Sequence, residues 1–210
     1  MHCCSSATSR KLSPGPLPGT ELKHRGVGFD TQEKATDGFK GAGGNHDVLG
    51  GHVHVAELAL QARGDFWSRE ELRCGRLRPL VAASIGPYGA ACHDGSEYHG
   101  NYAIGRRKLR DFHRARMDVL ADTPADLFAF ETIPSRLEAE VLIDLLAEYP
   151  GKSAWLSFSC RNGAQVCHGE SFADCAALAD ESAQIVAVGV NCTAPEYIAG
   201  LLDSVQALRT

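Results

Sequence analysis

The sequence predicts an α/β fold of parallel strands covered by crossover helices, with fewer units than a closed eight-unit barrel. Three observations lead there. Four short runs, Leu80–Ile85, Asp126–Phe130, Ser153–Ser159 and Ile185–Val190, are apolar almost throughout, the pattern of strands buried on both faces. Between them lie segments whose apolar residues recur every three or four positions, as in a helix with one buried face. The chain has 210 residues, whereas eight strand–helix units usually take about 250.

Residues Met1 to about Arg78 are less regular. Ser13–Gly19 is rich in Pro and Gly, and Gly38–Gly51 carries six glycines, each of which weakens a helix interior by about 1 kcal/mol. Thr20–Gly26 suits a short helix, and Val53–Arg63 sets Val53, Ala56 and Leu60 at helical spacing. The first strand, Leu80–Ile85, stops at Gly86-Pro87. Tyr102–Ala121 reads as an amphipathic helix, with Leu109, Phe112, Met117 and Leu120 on one side. The second strand ends at Glu131, and Pro134 suits the first turn of a helix reaching about Glu148. Phe172–Asp180 is a third helix, and a last one begins near Pro195 and runs to the end.

Composition excludes several classes. With 44% hydrophobic and 22% charged residues the chain is of the soluble globular type. Its longest apolar runs are about six residues, against roughly 18 for a membrane span, so no membrane role is expected. A net charge of -5 and 21 scattered Lys and Arg residues give no phosphate-tracking surface, so nucleic acid is not an expected partner. Eight irregularly spaced cysteines without a secretory signal point to a reducing, cytoplasmic setting. Residues 1–18 read as an unstructured or mis-assigned start.

Parallel α/β folds gather function just beyond the carboxyl ends of their strands. Those positions hold Ser84, Tyr88 and Glu97 after the first strand and Glu131-Thr132 after the second. Ser159, Cys160 and Arg161 follow the third, and Asn191, Cys192 and Thr193 the fourth. Such a set suits a polar small molecule, with Glu131 as a ligand-binding acid and Cys192 as a candidate metal thiolate. Cys160, Cys167, His168 and Cys175 lack the two-to-four-residue spacing of a zinc knuckle. His52 and His54, two apart, read as solvated surface residues.

The stretches Ser84–Ala90, Asp94–Tyr98 with Gly100, Phe130–Pro134, Ala154–Ser159 and Val188–Cys192 together resemble the homocysteine S-methyltransferases of the S-methylmethionine-using type. The resemblance implies a TIM barrel, here incomplete, with four βα units over about residues 80–210 and a partial homocysteine-binding domain over 19–210. It implies Zn2+ held by three cysteine thiolates, one at Cys192. The metal would activate the thiol of homocysteine, which takes a methyl group from S-methylmethionine or S-adenosylmethionine to give methionine. Glu131 would receive the substrate ammonium, Asn191 would orient the amino acid, and the Gly86–Tyr98 loop, with Ser84, Tyr88 and Glu97, would line the cleft.

Departures from the family pattern also carry expectations. The vicinal Gly-Gly-Cys-Cys pair that would complete the metal set does not occur before Thr210, and most of the first helix and second strand is missing between Gly26 and Val27. Cys3-Cys4 lacks the flanking glycines of a substitute pair. Unpaired strand edges would favour self-association. The alternative reading is a catalytically silent, truncated paralogue acting as a binding or interaction module.

Overall fold

In the computed structural model, residues 45–206 are described, with side chains from residue 51; the segments Ser13–Gly19 and Thr20–Gly26, the Gly26-Val27 junction and Cys3-Cys4 lie outside them. Helix α1, Asn45–Trp67, and the short α2, Glu70–Arg73, precede the sheet. Then follow β1 (Ala82–Ile85), α3 (Tyr88–Cys92), a 3-10 turn (Ser96–Tyr98), α4 (Arg106–Ala121), β2 (Leu127–Ile133) and α5 (Arg136–Leu146). The remaining elements are β3 (Ala154–Phe158), α6 (Phe172–Ala176), a 3-10 turn (Ala177–Glu181), β4 (Ile185–Val190) and α7 (Pro195–Asp203).

Among the described residues the four strands pair in parallel, in the order β1-β2-β3-β4, and two isolated antiparallel bridges, Cys160 with Val166 and Gln165 with Ser171, lie in the loop after β3. Parallel crossovers are right-handed, so an order that never reverses places successive helices on one side of the sheet. This is the winding of a barrel wall, in contrast to a doubly wound sheet, whose order turns back on itself. The register lines up Ile85, Phe130, Leu156 and Val188 on the helix-covered face, and Ser84, Ala129, Trp155 and Ala187 on the other. On the covered face Phe128 meets Tyr149 beyond α5, and Phe158 meets Phe172 of α6, both edge to face. Ile85, Phe130, Leu156 and Phe158 are fully buried there.

Several boundaries differ from the sequence expectation, each for a local reason. The helix expected from Tyr102 begins at Arg106, because Gly100 and Ala103 take positive φ and Gly105 is extended. Ser135 caps α5, its hydroxyl accepting the Glu138 N–H at 3.3 Å, so Pro134 stands before the helix rather than in its first turn. The Phe172–Asp180 helix is α only to Ala176 and then tightens into a 3-10 turn, and α7 stops at Asp203. Helix α1 runs through Gly50 and Gly51 despite their cost, held where Ala56 is buried and Arg63 bonds Asp126. Asp126 also accepts the Val81 N–H at 2.7 Å, and that bond, with Arg63 and Arg78, holds its carboxyl below the usual range. Strand β4 is apolar yet not fully buried. Among the described residues it pairs with β3 alone, and Val186 is 54% exposed.

Candidate functional site

Register and twist bring the carboxyl ends of β1, β2 and β4 together on the face that the helices leave uncovered. On adjacent strands Ser84 Oγ donates to Glu131 Oε1. The next residue, Thr132, falls in a bulge where the β2–β3 register shifts, and its φ is 63°. That left-handed turn, costly for a β-branched residue, directs Thr132 toward the end of β4. Its N–H donates to Asn191 Oδ1 at 2.8 Å, and its Oγ1 accepts from Asn191 Nδ2 at 2.8 Å. The paired contacts fix which end of the amide is oxygen.

Cys192 follows with φ 47° and an exposed thiol. Its Sγ lies 3.6 Å from Thr132 Oγ1 and 3.7 Å from Asn191 Nδ2. Because Thr132 Oγ1 already accepts from Asn191, its own proton is free for the sulfur, and the second Nδ2 hydrogen is free as well. The sulfur thus accepts from Asn191, while toward Thr132 it can accept or donate. Thr193 ties the neighbouring strand ends: its Oγ1 donates to Asn191 O and accepts the Cys160 N–H, both at 2.9 Å.

Ser84, Glu131, Asn191 and Cys192 therefore stand in one linked set, with Thr132 as the bridge. Tyr88 and Glu97 are not joined to it by hydrogen bonds. The Tyr88 ring packs edge-on against Tyr102 and Phe112, at 5.3 and 5.0 Å between centroids. Glu97 sits in the 3-10 turn with Oε2 buried and without a hydrogen-bond partner. A cavity of about 370 Å³, lined in part by Gly100, Tyr102, Ser135, Leu137 and His168, shares no residue with the linked set. Of the two histidines read as solvated, His54 is exposed, but His52 is half-buried, and burial followed by the Arg116 charge lowers its pKa.

Sequence reasoning missed the bridging part of Thr132 and a second polar group. Glu138 of α5 and His113 and Arg116 of α4 are buried together behind the Gly86-Pro87-Tyr88 turn. The pattern Ser135-x-x-Glu138 is a capping-box signature, yet the Glu138 side chain crosses to α4 and the turn instead of returning to Ser135.

A zinc site needs more than one protein ligand. Among the described residues no group of three His, Cys, Asp or Glu side chains is placed to hold an ion. Cys192 offers one thiol, while burial pushes Cys160 and Cys175 up to about 12, leaving them neutral thiols of the core. The described residues alone do not make a zinc site.

The homocysteine S-methyltransferase family model matches residues 34–210. The chain is 48% identical over 149 residues to the homocysteine S-methyltransferase YbgG of Bacillus subtilis (strain 168), covering 71% of this chain and 47% of that protein. It is 44% identical to a selenocysteine Se-methyltransferase of Brassica oleracea var. italica, covering 70% of this chain and 44% of that one. The metallated form of the homocysteine methyltransferase MmuM from Escherichia coli superposes with a TM-score of 0.72 at 38% identity, covering 78% of this chain and 56% of that one. The chain spans about half the length of the curated relatives it matches. A match extending from residue 34 to residue 210, at identities of this order, leaves one assignment: the chain belongs to the homocysteine S-methyltransferase family.

Proposed function

We propose that this chain takes part in methyl transfer from S-methylmethionine or S-adenosylmethionine to the thiol of homocysteine, giving methionine. The supporting observation is the linked set at the strand ends, an acid, an amide and a thiol on one face of the sheet. Glu131, held by Ser84, receives the substrate ammonium. Asn191, locked by Thr132, orients the amino acid beside Cys192. The homocysteine sulfur attacks the methyl carbon of the sulfonium as the opposite carbon–sulfur bond breaks. The bonding pair leaves with the departing sulfide, and the thiol proton passes to solvent. A sulfonium is already a good leaving group, so positioning supplies much of the rate.

Cys192 is the candidate ligand for Zn2+, with the other ligands drawn from outside the described residues; no step above is routed through the metal. The substrates are small molecules in a cytoplasmic setting, with no part for nucleic acid or membrane. Among the described residues no helix is long and apolar enough to cross a membrane. The edge of β4 that is unpaired among the described residues, with Val186 exposed, supports self-association. The test is zinc content and methionine formation by the purified chain, given homocysteine and S-methylmethionine. Methionine formation is expected, lost together with any bound zinc in Cys192→Ser; protein that forms no methionine even with zinc supplied refutes the proposal.

A further inference from the structure

We propose that buried Glu138, His113 and Arg116 form a clamp that positions the loop after β1, Gly86–Tyr98, with Glu138 as its hub and positioning residue. The proposal rests on the reading above for what that loop lines.

Proton placement in the clamp follows from chemistry. A guanidinium only donates, so His113 Nδ1, 2.7 Å from Arg116 Nη2, must be an acceptor. The ring is then neutral with its single proton on Nε2, which donates to Glu138 Oε1 at 2.8 Å. Burial, aided by the Arg116 charge, keeps the imidazole from protonating even though Glu138 favours the charged form. The same Glu138 oxygen accepts the Tyr88 N–H at 2.6 Å, and Arg116 Nη2 donates to Gly86 O at 2.8 Å.

The circuit closes across one residue, Pro87, which has no N–H to offer. The Gly86 carbonyl and the Tyr88 amide, on either side of it, are each held by a buried charged side chain. Every element around the group contributes. Arg116 lies 4.2 Å over the Phe112 ring, His52 of α1 lies close enough to feel its charge, and Tyr102 faces Glu138 from the following loop. Removing Glu138 and Arg116 from water is expensive, and a pair kept for stability alone is replaceable by apolar residues at little cost. Here the buried charges are spent on two backbone groups of one turn.

Position at Tyr88 is transmitted to Glu97. A Cβ on Gly89 would stand 2.3 Å from the Glu97 backbone nitrogen and 2.6 Å from the Ser96 carbonyl carbon. The backbones of α3 and the 3-10 turn are therefore in direct contact, and fixing one end fixes the other.

Glu138→Leu tests this by removing the acceptor, and Glu138→Gln by restoring an oxygen of the same reach. In the Leu variant, amide hydrogen exchange over residues 86–98, at Tyr88 above all, should quicken about tenfold or more, with β2 and β3 within about twofold of wild type. The homocysteine KM should rise about tenfold with kcat nearly unchanged, and the Gln variant should recover most of both effects. Exchange that rises equally everywhere, that stays unchanged over 86–98, or that quickens there without a change in KM overturns the clamp. Should the Leu variant not fold, Arg116→Lys, which frees Gly86 O, is read by the same criteria. Absence of methyl transfer by the wild-type chain refutes the functional reading instead, and the exchange pattern alone then decides the clamp.

Discussion

Thr132→Val isolates the hydroxyl that bridges Asn191 and Cys192. Valine keeps the volume and the β-branch, so the strain at φ 63° is unchanged while the Oγ1 acceptor disappears. Loss of the 2.8 Å bond costs about 1 kcal/mol net, and leaving one hydrogen of the half-buried Asn191 amide without its partner adds up to about 1 more. Urea unfolding should therefore show a loss of about 1–2 kcal/mol, and a thermal scan a fall of roughly 3–6 °C for a chain of this size. With Asn191 released, the homocysteine KM should rise about tenfold, equivalent to about 1.4 kcal/mol. Thr132→Gly provides the counterpart. It removes the same hydroxyl but relieves a left-handed conformation worth about 1–2 kcal/mol, so its stability should lie close to wild type while its KM rises as in the Val variant. Stability and substrate affinity should thus separate between the two. A Val variant within about 0.3 kcal/mol of wild type, or wild-type kinetics in both, would refute the bridging part assigned to Thr132.

Glu131→Gln removes the negative charge offered to the ammonium and should raise the homocysteine KM roughly 10- to 100-fold, the difference between a charge-assisted and a neutral hydrogen bond; an unchanged KM in steady-state assays assigns the ammonium elsewhere. Two glycines should respond in opposite directions. Gly51 has nothing within 4 Å of an added Cβ, so Gly51→Ala should gain about 1 kcal/mol in urea unfolding. In Gly89→Ala the new carbon would meet backbone at 2.3 Å, and a loss of about 1–3 kcal/mol or more is expected. Folded His113 has a lowered pKa, whereas the unfolded imidazole takes up a proton near its ordinary 6.5. The unfolded state then binds more protons, so stability is full above pH 6.5 and falls as the pH drops below it. His52 is lowered too and acts in the same direction, so the part of the slope that disappears in His113→Gln belongs to His113; equal slopes in both proteins would show that His113 is not held neutral.

Strand positions are legible in the sequence because each strand is a compact apolar run, even where, as in β4, the structure leaves it partly exposed. Ile185–Val190 matches β4 at both ends, and Ser153–Ser159 brackets β3 by one residue on each side. Helix ends are less legible, since they depend on backbone conformations the apolar period does not encode. Nothing in the spacing of Leu109, Phe112 and Met117 says that Gly100 and Ala103 turn left-handed and delay α4 to Arg106. Helix α1 shows the opposite case. Its glycines argue against a helix, and packing of Ala56 together with the Arg63 bond to Asp126 outweighs them.

The site divides along the same line. Which residues reach the strand ends follows from the rule that parallel strands gather function at their carboxyl termini, so Glu131, Asn191 and Cys192 are found without coordinates. How they are linked depends on two non-glycine residues in the left-handed region, Thr132 and Cys192, one at the end of β2 and one just past β4. In an ordinary extended strand side chains alternate faces, so neighbours such as Glu131 and Thr132 would point to opposite sides of the sheet. The left-handed residue in the bulge breaks that alternation. It lets Glu131 meet Ser84 on one neighbouring strand while Thr132 meets Asn191 beyond the other. Strain at two residues is thus the physical means by which a sheet with two-residue periodicity presents consecutive side chains to one site, and relieving it with glycine should loosen the site before it loosens the fold.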